Sequence, residues 1–168
     1  MAIILITGGA RSGKSLRAEN RARAVPGRPV YIATAEALDA EMTERIARHR
    51  ARRGTDWIER ETPLDLAQAL IETDGGGARL VDCLTLWLSN LLHAGRDWSN
   101  ATDGLVETLA RQRSSVVLVT NEVGLGIVPD NALARSFRDA AGLINQRIAA
   151  VADEVEFIVS GLPMKLKG

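Results

Sequence analysis

The feature that most restricts this chain is an octet near its start: Gly8, Gly9, Ala10, Arg11, Ser12, Gly13, Lys14 and Ser15 fit the pattern G-x-x-x-x-G-K-[ST]. It follows the apolar run Ile3, Ile4, Leu5 and Ile6 and precedes a stretch with helical spacing. The pattern has a physical use. Glycines let the backbone wrap close to phosphate oxygens, the first N–H groups of the helix donate to them, and the helix dipole favours their charge. Lys14 is expected to reach the β and γ phosphates and Ser15 to ligate Mg²⁺. A glycine-rich strand-to-helix turn with an exposed lysine is the bland alternative.

The rest of the chain alternates in the same way. Short apolar runs recur at residues 30–33, 80–81, 116–119 and 155–159, with 57–61 as a weaker strand candidate. Helical spacing and the breakers Pro26, Gly27, Gly54, Pro63 and Pro129 mark helices over 14–24, 39–53, 64–72, 85–93, 102–113 and 131–152. Strands separated by helices imply an α/β fold: a P-loop NTPase of RecA-like type, with a mainly parallel central sheet flanked by helices. At 168 residues, one nucleotide-binding domain over 1–168 is expected.

Charge narrows the partners. Lys plus Arg (21) equal Asp plus Glu (21), so no basic field points to nucleic acid or to an anionic membrane surface. Cys83 is the lone cysteine and His49 and His93 the only histidines, which excludes an internal disulfide and a Cys/His zinc site. The apolar start is too short for a signal segment or a spanning helix. A cytoplasmic location is expected.

A P-loop enzyme needs a second acidic group for its metal, and Asp82, after Leu80 and Val81, ends an apolar strand. The alternative is that Asp82 only caps the helix starting near Thr85. Glu122 also follows an apolar strand, as a candidate for orienting water or an acceptor hydroxyl, or as a solvated loop carboxylate. In the 39–53 helix, Leu38, Met42 and Ile46 form a core-facing stripe, while Arg45, His49 and Arg52 or Arg53 lie on another side. Guanidinium neighbours would keep an exposed His49 neutral and nucleophilic while they hold a phosphate chain. Attack by an imidazole nitrogen on an α-phosphorus would expel pyrophosphate and leave a phosphoramidate. From the helix alone, an Arg-rich wet face with an incidental histidine is the favoured reading.

Taken in order, these stretches resemble the bifunctional adenosylcobinamide kinase / adenosylcobinamide-phosphate guanylyltransferases of cobalamin biosynthesis. The matching residues are the 6–15 stretch, then Tyr31, Ile32, Ala33, Thr34 and Ala35, then Glu41, Met42, Arg45, Ile46, His49 and Arg50. They continue through 117–124 and 126–129, then Leu133, Ala134, Arg135, Phe137, Arg138, Asp139, Gly142, Asn145, Gln146 and Arg147. The resemblance implies phosphorylation of adenosylcobinamide from ATP or GTP, then transfer of GMP from GTP to adenosylcobinamide phosphate. It implies His49 as the guanylylated histidine and Lys14 as the second catalytic residue. It further implies nucleotide contacts at Thr34, Ala35, Glu36, Ala51, Arg52, Arg53, Gly54, Glu61 and Asp82, and a homotrimer. Asp82 departs from a glutamate often found there, although both carboxylates bind Mg²⁺.

Two other functions use the same P-loop. A kinase of another small molecule would need no histidine nucleophile. A nucleotide switch would need a guanine-specificity element, and Thr120, Asn121, Glu122 and Val123 lack its lysine and aspartate.

Overall fold

The computed structural model describes residues 1–36 and 40–168, without the side chains of Glu41 and Arg45. Leu38 and Asp39, expected at the head of the basic helix, lie outside the described residues.

Strand β1 (Ile3–Gly8) leads into helix α1 (Lys14–Arg23). There follow β2 (Val30–Ala33), α2 (Ala40–Arg53), β3 (Ile58–Glu61), α3 (Leu66–Glu72), β4 (Arg79–Asp82), α4 (Leu84–His93), α5 (Trp98–Ala110), β5 (Val116–Val119), α6 (Ala132–Val151), β6 (Glu154–Val159) and β7 (Leu162–Lys167). The sheet order is β3-β2-β4-β5-β1-β6-β7. All neighbours pair in parallel except β6 and β7. This is the mainly parallel, helix-flanked α/β sheet the alternation predicts.

The inner strands are runs of β-branched and aliphatic residues because both of their faces are covered. On one face Ile3, Leu5, Val81, Val116 and Leu118 pack with α3, α4, α5 and α6 through Leu70, Leu88, Leu105 and Ile144. On the other, Ile4, Ile6, Tyr31, Leu80, Val117 and Val119 pack with Ala18 and Ala22 of α1 and with Trp57. Leu80 and Asp82 alternate to the same side, so Asp82 emerges on the face that carries the loop helix.

Two elements differ from expectation. The helix expected from residue 102 begins earlier, because Asp97 caps it by accepting from the N–H groups of Ser99 and Asn100. The antiparallel β7 went unnoticed. Ser160 and Gly161, with φ of 52° and 82°, reverse the chain there, and Leu162, Met164 and Leu166 alternate with Pro163, Lys165 and Lys167.

Candidate active site

The phosphate loop is shaped by its glycines. A Cβ on Gly8 would stand 2.7 Å from the Ile158 carbonyl oxygen and 2.8 Å from Ser12 Oγ, so no side chain fits. Gly13 opens α1 with φ of 98°, a left-handed conformation natural to glycine, and no side chain caps the helix. Side-chain donors and acceptors therefore do not compete at an N-terminus that favours anions. Lys14, nearly buried, folds its Nζ back to the Gly9 carbonyl at 2.9 Å. The Glu122 N–H donates to the Gly8 carbonyl at 3.1 Å, and the Gly161 N–H to that of Ser12 at 2.8 Å. The loop is thus pinned from β5 and from the β6–β7 turn.

Helix α1 is fixed in turn by a buried acid. Glu156 on β6 accepts two bonds from Arg17 and one from Arg21, each at 2.7 Å. The hydrogen bond from Arg17 holds its carboxyl below the usual glutamate range, outweighing the upward push of burial.

At the carboxyl ends of β2 and β4, which β5 separates from the phosphate-loop strand β1, lies a cleft of about 500 Å³. Ala35, Glu36, Met42, Ile46, His49, Arg53, Glu61 and Asp82 are among its walls. At its centre the His49 Nδ1 stands 4.0 Å from Asp82 Oδ2. The same Oδ2 accepts a 2.9 Å hydrogen bond from the Tyr31 hydroxyl. Burial, and secondarily the Asp82 charge, raises the Tyr31 phenol far above its ordinary value, so it stays a donor. The Arg53 guanidinium lies 3.5 Å from the Tyr31 ring centroid, and Trp57 meets the ring edge-on at 6.0 Å.

Asp82 therefore does not cap α4. The N-cap is Cys83, with no side-chain capping bond, and Asp82 faces the cleft instead. Burial first, then the neighbouring Asp82, pushes the Cys83 thiol up to about 11, which leaves it inert.

The expected arginine stripe around His49 is corrected in two respects. Arg53 is 4% exposed, not on a wet face, because its guanidinium stacks on Tyr31 and donates to Glu59 at 2.7 Å. Two neighbouring arginines, Arg50 and Arg52, are ion-paired, and the side chain of Arg45 lies outside the described residues. Arg50 binds Glu59 at 2.7 Å and reaches Glu61 at 3.4 Å, and Arg52 binds the buried Glu19 of α1 at 2.6 Å. The Asp82 carboxylate stands 4.0 Å from the imidazole Nδ1, within ion-pair range and beyond hydrogen-bond distance.

The other expected nucleotide residues divide by position. Ala35, Glu36, Arg53, Glu61 and Asp82 share the cleft, whereas Ala51 and Gly54 are exposed at the end of α2. Arg52 serves as the tie to α1. Thr34 is wholly buried: its hydroxyl donates to the Cys83 carbonyl at 2.8 Å and accepts from the Cys83 N–H at 2.7 Å. Among the described residues no group of three or more His, Cys, Asp and Glu is arranged to hold a metal. The hydroxyl of Ser15 and the carboxylate of Asp82 are hard oxygen donors that fit Mg²⁺, an ion usually held by few protein groups together with phosphates and water. Glu59 and Glu19 escaped the sequence reading, and Tyr31 entered it only as part of a matching stretch. The one available signal for Tyr31 was a hydroxyl within an otherwise apolar strand.

A parallel sheet with this glycine-cradled loop at its first strand and an acid at the end of another defines a P-loop NTPase. Sequence comparison narrows the class, because residues 4–166 match the family described as cobinamide kinase / cobinamide phosphate guanyltransferase. The chain belongs to that family. It is 51% identical over 170 residues to the bifunctional adenosylcobalamin biosynthesis protein CobP of Pseudomonas aeruginosa, covering 98% of this chain and 96% of the relative. It is 46% identical over 182 residues to the bifunctional adenosylcobalamin biosynthesis protein CobU of Salmonella typhimurium, covering 98% and 99%. The flagellar accessory protein FlaH from Methanocaldococcus jannaschii shares the fold, with a TM-score of 0.55 at 12% identity over 99% of this chain and 78% of that one.

Proposed function

We propose that one domain spanning residues 1–168 phosphorylates adenosylcobinamide from ATP or GTP and then transfers GMP from GTP to adenosylcobinamide phosphate through His49. The observation that carries this reading is the His49–Asp82 pair, 4.0 Å apart in the cleft at the carboxyl ends of β2 and β4. A plain kinase has no use for an imidazole held against a carboxylate there. The bifunctional names of the relatives support the same pair of reactions.

In the first reaction, the loop amides and Lys14 hold the γ-phosphoryl group in line with the acceptor hydroxyl, and positioning with electrostatic stabilisation supplies most of the acceleration. Ser15 and Asp82 would hold Mg²⁺, whose charge neutralises phosphate oxygens when bound. In the second reaction, His49 Nε2 attacks the α-phosphorus of GTP. An N–P bond forms, the bond to the bridging oxygen breaks, and pyrophosphate leaves toward Lys14. A phosphate oxygen of the acceptor then displaces the imidazole, forming adenosylcobinamide-GDP. Asp82 stabilises the imidazolium generated in the first displacement.

A corrinoid is too bulky for a domain of this size to enclose, so the reading includes a homotrimer in which subunit contacts complete the acceptor site. A reducing cytoplasm suits the single buried thiol. Among the described residues no helix is long and apolar enough to cross a membrane. Incubation with GTP labelled at the α-phosphorus tests the proposal. Acid-labile, alkali-stable label on His49 is expected, and phosphorylation of adenosylcobinamide without any covalent label would leave a plain kinase.

A further inference from the structure

Tyr31 has no part in the two reactions as drawn, yet its hydroxyl holds the oxygen that faces the nucleophile. In register, Tyr31 pairs with Leu80 and Ala33 with Asp82, so Tyr31 and Asp82 are diagonal neighbours on one sheet face. The phenol spans that diagonal to Asp82 Oδ2 at 2.9 Å, and His49 Nδ1 lies 4.0 Å from the same oxygen. The ring has little freedom, since it is 6% exposed, covered by the Arg53 guanidinium at 3.5 Å and abutted by Trp57.

We propose that Tyr31 is a positioning residue for guanylyl transfer, fixing Asp82 Oδ2 so that it accepts a hydrogen bond from the Nδ1–H of His49 and aims Nε2 at the α-phosphorus. This rests on the reading of His49 as the covalent carrier. A carboxylate that orients an imidazole must itself be oriented, and a group that holds such a carboxylate typically matters by 10- to 100-fold. The pair stands about 1 Å beyond hydrogen-bond distance. Closing that gap requires only a small approach of α2, provided the carboxylate does not rotate away as the imidazole arrives. Arg53 adds a second restraint, because it belongs to the last turn of α2 and stacks on the ring that holds Asp82. The helix carrying the nucleophile and the strand carrying its partner thereby meet on one aromatic side chain.

The test is Tyr31→Phe, which keeps the ring, its stack and its edge contact and removes one oxygen. Formation of the GMP–His49 adduct is followed in a single turnover over a range of GTP concentrations. At saturating GTP the rate is expected to fall about tenfold or more, with the half-saturating GTP concentration changed less than about twofold and the phosphorylation of adenosylcobinamide, which uses Asp82 only as a metal ligand, reduced several-fold less than the adduct rate. An unchanged adduct rate overturns the proposal. An equal fall in both reactions overturns it too, since Tyr31 would then act through groups the reactions share. A wild-type protein that forms no adduct refutes instead the role given to His49. A second measurement needs no variant. With only two histidines in the chain, ¹⁵N spectra of protein bound to a non-hydrolysable GTP analogue resolve the His49 ring. A proton on Nδ1 is expected, and a proton on Nε2 alone overturns the proposal.

Discussion

Nδ1 of His49 and Oδ2 of Asp82 are 4.0 Å apart, one on the third turn of α2 and the other at the end of β4. Their meeting joins the basic helix to the acid proposed to hold the metal, and it separates the two proposed reactions experimentally. His49→Ala is expected to abolish the covalent GMP adduct, a loss of at least about a thousandfold in GMP transfer. Most phosphorylation of adenosylcobinamide should survive, because the phosphate loop does not use the imidazole. The check is to assay both reactions on one preparation, and equal loss in both would assign His49 to shared binding.

Lys14 carries the opposite expectation. Its ammonium is stored against the Gly9 carbonyl at 2.9 Å, close to where phosphate oxygens enter. Lys14→Ala should lower both reactions by about a hundredfold or more, as removal of a charged group from transition-state phosphate does. Parallel rate measurements decide it, and survival of either reaction would remove Lys14 from that half.

Glu19 on α1 is buried and binds Arg52 on α2 at 2.6 Å, so it ties the helix that carries His49 to the loop helix. Glu19→Gln weakens that tie. The expected cost is about 1 kcal/mol, or a fall in Tm of about 3 °C. GMP transfer should drop several-fold more than phosphorylation, since only the former depends on where α2 stands. Calorimetry and the two rate assays read these effects independently.

Asp74 governs acid stability. Burial would raise its carboxyl, but the N–H groups of Ser114 and Arg113, the Arg113 side chain and the buried Arg79 outweigh that and bring it down to about 2 from 3.8. Because the folded value lies below the unfolded one, this stabilisation is present above about pH 4 and is lost as pH falls through about 2. Asp74→Asn should cost about 3 kcal/mol near neutral pH, since it leaves Arg79 buried beside a neutral group. Urea unfolding from pH 6 to pH 2 should show the variant losing less stability with acid than the parent.

Much of this protein was determined locally. Ile3 to Ile6 followed by Gly8, Gly13, Lys14 and Ser15 dictates a strand, a phosphate loop and a helix, because each residue's conformational preference acts over a few neighbours. The apolar runs placed β2 and β5, and Asp82 was recognisable as the last residue of an apolar strand. What local pattern does not encode is which side chains meet across elements. Arg53 looked like a solvated charge in sequence, but packing stacks it on Tyr31, and the carboxylate of Asp82 comes to stand 4.0 Å from His49. Register decides this. Parallel pairing of β2 with β4 sets Tyr31 and Asp82 on one face, and the Glu19–Arg52 tie connects α2 to α1 on that side. The fold and the candidates for the reacting groups were therefore written in short stretches of sequence, whereas their distances and charges arise from contacts between residues far apart along the chain, which only the folded sheet brings together.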